Sequence, residues 1–188
     1  MRGFARDWNT LWRRMAALLL PMLLLGACTV TLVPPYDEQI DTGLTALYGD
    51  TSAFVDRMMA AAGTPAGGYA ANTGFYDDAD GRVAALVVRA EAHRVLKDCP
   101  TSKVVNAALD LARIPAEVRG QIGNLPKDDC QVVLMRLIQS GFKRMRTIHQ
   151  IQAEDGFPKS AHDQFIEGGV GAQLRAAITV EIAKRSAK

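Results

Sequence analysis

From Ile40 onward, apolar residues return every three or four positions. Ile40, Leu44, Leu47, Phe54, Val55, Met58 and Met59 form one stripe, with Thr51 filling its single gap. A strand would bring such residues back at every second position, whereas steps of three and four place them on one face of an α-helix. A face of that kind is stable only when buried against other elements, so the chain must supply matching partners. Pro35 precedes the stripe, and Asp37, Glu38 and Asp41 put negative charge in the first turns, where the helix dipole favours it. Gly63-Thr64-Pro65 ends it. Gly43 and Gly49 each weaken the helix by about 1 kcal/mol relative to alanine, so tertiary packing has to hold it.

The period recurs downstream. Residues Thr64 to Gly74, with Gly67-Gly68 and Asn72, read as a loop flanked by Tyr69, Phe75 and Tyr76. Val83, Leu86, Val87 and Ala90 then mark a second helix running to about Lys97. Ser102 to Arg113 reads as a short third helix capped by Thr101 or Ser102, with 116–122 adding one further turn after Pro115. The fourth helix runs from about Asp128 to Glu154. Its apolar face holds Val133, Leu134, Leu137, Ile138, Gly141, Phe142, Met145 and Ile148, with Lys143, Arg144 and Arg146 toward solvent. Gly156-Phe157-Pro158 breaks it. A capped start at Ser160–Asp163 opens a fifth helix whose stripe is Phe165, Ile166, Val170, Leu174, Ile178 and Ile182. Gly168, Gly169 and Gly171 interrupt that stripe, as points of close approach or as a kink. No stretch alternates as a strand does. The expectation is an all-α domain over residues 36–188, an antiparallel bundle of four or five helices.

The first twenty-eight residues differ in kind. Arg2, Arg6, Arg13 and Arg14 stand against the single acid Asp7, and an apolar run extends from Met15 to Leu25. Eleven helical residues span about 16 Å, roughly half of a 30 Å bilayer core. The run therefore reads as the apolar region of a secretory signal rather than a permanent span. Leu25-Gly26-Ala27-Cys28 directly after it resembles the lipobox of bacterial lipoproteins. The resemblance implies a signal peptide over 1–27, removed after acylation. Cys28 is then the first mature residue, carrying diacylglyceryl and palmitate-type chains that hold it firmly in a membrane. Thr29, where an aspartate would signal inner-membrane retention, favours the outer membrane. Residues 28–35 are a tether, stiffened by Pro34-Pro35 and reaching at most about 25 Å beyond Cys28. The body beyond it resembles small proteobacterial lipoproteins of unassigned function, a likeness that implies no activity.

Loss of residues 1–27 leaves 18 basic and 19 acidic residues, a net charge of −1. The excess of two positive charges on the full chain thus belongs to the signal, and nothing in the body favours nucleic acid as a partner. In an oxidising periplasm the remaining pair, Cys99 and Cys130, reads most simply as a structural disulfide, with a metal pair or redox dithiol as the rival. No Cys-x-x-Cys is present.

Catalytic signatures are missing. Glu-x-x-His pairs, His-Glu-x-x-His, the P-loop, Gly-x-Ser-x-Gly and the dinucleotide fingerprint do not occur. The three histidines read as surface or capping residues, and Met58, Met59, Met135 and Met145 as core filling. Asp77, Asp78 and Asp80 beside Gly81 lack the distal glutamate of a calcium loop. The expectation is a protein that is not an enzyme and has no cofactor or metal. It is moored through Cys28, faces the periplasm, and serves as a structural or interaction module for an envelope protein partner. The alternative is a binding module for a small apolar or aromatic ligand, lined by Tyr69, Phe75 and Tyr76, which could equally seal one end of the bundle.

Overall fold

The computed structural model describes residues 35–94, 110, 113–123 and 129–186, all within one unit, Val33–Lys188. The expected signal peptide, Cys28, most of the tether, Cys99 and nearly all of the expected helix Ser102–Arg113 lie outside these residues.

Helix α1, Glu38–Ala60, buries the residues of the first stripe except Met59, which is half-buried. Thr51 sits in it fully buried because its hydroxyl donates to the Leu47 carbonyl of its own helix, 2.6 Å away. Two short 3₁₀ turns, Pro65–Gly67 and Tyr69–Asn72, lead into α2, Thr73–Ala92. That helix starts before the apolar period becomes visible at Val83, so Thr73 and Gly74, expected in the loop, open it, and the flanking Phe75 and Tyr76 belong to its first turn. Among the described residues the eight-residue α3, Ala116–Gly123, comes next. Helix α4, Cys130–Gln152, is capped by Asp129, whose carboxylate accepts the Gln131 N–H at 3.0 Å. A π-helix, His162–Glu167, and α5, Val170–Ser186, complete the order. Among the described residues no strand occurs.

The chain is an all-α antiparallel bundle. α1 packs on α2 and α5, and α4 packs on the same two, so the four long helices close a ring around the core. Phe54, Phe142, Leu134, Met135, Ile138 and Met145 are among its most buried side chains. Fully burying a side chain of this size contributes roughly 1.5–3 kcal/mol.

The expected continuous fifth helix is broken. In the π-helix the Gly168 N–H donates to the Asp163 carbonyl, five residues back, at 2.9 Å. Arg175 then reaches back to the freed carbonyls of Ile166 (3.1 Å) and Glu167 (3.3 Å). Beyond the break the stripe begins as expected, with Val170 and Leu174 buried, but each step of four runs about 40° ahead of the helical repeat. Ile182 therefore lies 46% exposed instead of in the core, while Gln173, Glu181 and Lys184 face inward. Gly141 on α4 lies where a Cβ would collide with the Gln173 side chain, so here the glycine serves close helix approach.

Candidate functional site

The antiparallel order collects two polar centres at opposite ends of the bundle. At the end where the chain enters α1, Asp37 is the helix cap. Its carboxylate accepts the Gln39 and Ile40 amides at 2.9 and 3.3 Å. It also binds Arg89 Nε at 2.5 Å and lies 3.0 Å from His93 Nε2, both near the end of α2. Burial alone would raise the Asp37 pKa, but the Arg89 bond and the two amides outweigh it and hold the carboxyl below its usual value. The Asp37 backbone N–H donates to Glu181 Oε1 at 2.6 Å, and Glu181 Oε2 accepts Lys184 Nζ at 2.7 Å. Glu181 is wholly buried and Lys184 nearly so. α1, α2 and α5 are thus tied together at the residue immediately after Tyr36.

At the far end the rings interlock. Phe54 stacks on Phe75 with centroids 3.7 Å apart, Tyr76 meets Phe54 edge-on at 5.5 Å, and His149 lies 4.5 Å from Phe157. His149 is fully buried, which corrects its reading as a surface or capping residue. Its Nε2 is 2.9 Å from the Gly67 carbonyl, which can only accept, so Nε2 carries the proton and Nδ1 accepts from the Tyr76 hydroxyl at 2.9 Å. Burial lowers the His149 pKa, opposed by the bond to Gly67, and raises that of Tyr76. A side chain at Gly67 would strike the Ala61 carbonyl, so the glycine lets the turn approach close enough for this bond. Arg146, expected toward solvent, instead clamps the end from outside. It donates to Tyr69 Oη at 2.9 Å and pairs with Asp77 at 2.8 Å and Asp80 at 3.2 Å. Its guanidinium also lies 5.7 Å from the Tyr76 ring centre.

Of the residues singled out in the sequence, Tyr76 is buried and Tyr69 and Phe75 are half-buried, all three within this ring cluster. The two other histidines are half-buried: His93 comes directly after α2, and His162 lies 3.2 Å from Asp56. Cys130 is half-buried as the first residue of α4, and its sulfur is engaged rather than a free titrating thiol. Among the described residues no group of three or more His, Cys, Asp or Glu is arranged to hold a metal ion, and no helix is long and apolar enough to cross a membrane. No family model, curated relative or solved structure matches the chain.

Sequence reasoning missed Arg89, Glu181, Lys184, His149 and Arg146 as partners. Only for Arg146 is there a local signal: three aspartates within four residues on a helix call for a cation across from them.

Proposed function

We propose that this chain is a lipid-anchored lipoprotein of the cell envelope. Its helical bundle is moored through Cys28, faces the periplasm from the outer membrane, and acts as a structural or interaction module for an envelope protein. The observation that carries this reading is Leu25-Gly26-Ala27-Cys28 set directly behind an apolar run too short to span a bilayer. The entry end of the bundle supports it. The cap of α1 stands nine residues after Cys28 in the sequence, and its carboxylate and amide are gripped by side chains of two other helices. Such an end suits a body held on a short tether.

Metabolic labelling with palmitate tests the anchor. The wild-type chain should take up label and fractionate with outer membranes, and Cys28→Ala should do neither. Label persisting in Cys28→Ala would refute the reading.

We propose further that Cys130 is bridged to Cys99. The engaged state of Cys130 and an oxidising compartment both favour the pairing. A bridge closing 32 residues stabilises by about 3–4 kcal/mol on the chain-entropy model. Alkylation of the denatured, unreduced protein should leave both residues unmodified, and modification of both would exclude the bridge.

A further inference from the structure

Between α4 and the turn from the π-helix into α5 lies a cavity of about 450 Å³, within the range of small-molecule sites. The fold departs from regular packing to make it. Gly141 on one wall and Gly168 and Gly169 on the other line it with bare backbone. The facing wall is the π-helix, an element that occurs often where a protein binds something. The floor is apolar and solid: Leu137, Met145, Phe165 and Val170 are each at least 96% buried.

The rim is polar and carries one sign of charge. Ser140, Gln164 and Arg144 stand exposed around the mouth, and among the described residues none that line it is acidic. Arg144 makes no ion pair among the described residues, unlike Arg146 two positions on. The nearby Glu167 carboxylate is turned away to Arg175, 3.1 Å distant. An uncommitted guanidinium above an apolar floor, with neutral amide and hydroxyl groups beside it, is complementary to a compact apolar body ending in a carboxylate.

We infer that this cavity is a binding site for a small aryl or acyl carboxylate, with the apolar body on Phe165, Leu137 and Val170 and the carboxylate on Arg144. The site is separate from the anchor and from the ring cluster of Tyr69, Phe75 and Tyr76, and it holds or fails independently of the lipoprotein reading.

Fluorine NMR of 4-(trifluoromethyl)benzoate against the purified full-length protein is the test. The protein is carried in phospholipid nanodiscs if it is anchored and in buffer if it is not, with protein-free samples as blanks. The probe should bind with a Kd of roughly 1 mM or tighter. Arg144→Gln should weaken it about tenfold, the loss of one charge-assisted contact, while Arg144→Lys should keep part of the affinity. Ser140→Trp, at an exposed rim position, should block the mouth and abolish binding. The neutral amide of the probe should bind wild type about as weakly as Arg144→Gln binds the acid, and acetate should not compete. All three variants change exposed residues, and unchanged thermal melting would separate loss of the site from loss of the fold. No binding to wild type, binding indifferent to Arg144→Gln and Ser140→Trp, or displacement by acetate would each overturn the inference.

Discussion

Glu181→Leu should destabilise the bundle by about 3–5 kcal/mol, the cost of leaving one member of a buried ion pair alone. Leucine keeps the apolar volume but strands the Lys184 ammonium, which is only 8% exposed, and deprives the Asp37 N–H of its acceptor. The informative companion is Glu181→Leu combined with Lys184→Met. With both charges gone the desolvation term disappears, so most of the lost stability should return, short of about 1 kcal/mol for the unpaired amide. Urea unfolding monitored by circular dichroism reads both. A double variant no more stable than the single would show that the pair does not carry this energy.

His149→Phe should cost about 2–5 kcal/mol. It preserves the ring contacts with Phe54 and Phe157 yet leaves the Tyr76 hydroxyl and Gly67 carbonyl buried without partners, each worth about 1–3 kcal/mol. Tyr76→Phe removes one of those groups in advance, so the two changes together should cost less than their sum. The same residue sets a pH dependence. Because burial holds the folded His149 pKa below 6.5, the unfolded chain takes up a proton there before the native one does. Stability is therefore full above about pH 6.5 and declines as pH falls below it, by at most about 1.4 kcal/mol per unit. His149→Phe should lack that decline. The loss tied to Asp37 comes later, as pH falls below 3.8, since its folded pKa is depressed. Equal slopes between pH 6.5 and 5 in wild type and His149→Phe would remove His149 from the acid response.

How legible each part of the fold is in the sequence depends on where its information lies along the chain. α1 and α4 are legible because their apolar faces repeat locally, and Pro35, Asp129 and Gly156 mark their ends. The start of α2 is hidden because its first turns present Tyr76 and Ala79 inward among acids and small residues, a pattern that resembles a loop. The inner face of α5 is legible only at its start: Val170 and Leu174 are buried as the stripe implies, but steps of four drift off the helical repeat by Ile182, and the glycines announce a break without giving its size. The polar centres join residues far apart in sequence, 144 positions for Asp37 and Glu181 and 73 for Tyr76 and His149. Only the ring of helices brings them together. The proposed anchor is the reverse case: the motif that suggests it lies entirely in consecutive residues and owes nothing to tertiary packing.

The clamp on Asp37 has a mechanical consequence. A pull on residue 35 reaches the bundle through a joint fastened to α2 and α5, not through α1 alone, so load is shared across three helices before the first turn can unwind. With α1 and α4 each 23 residues long, or about 35 Å, the interlocked rings sit at the opposite tip of a stiff rod. Strain entering at one pole would have to cross the whole core before it could loosen the Gly67 turn at the other.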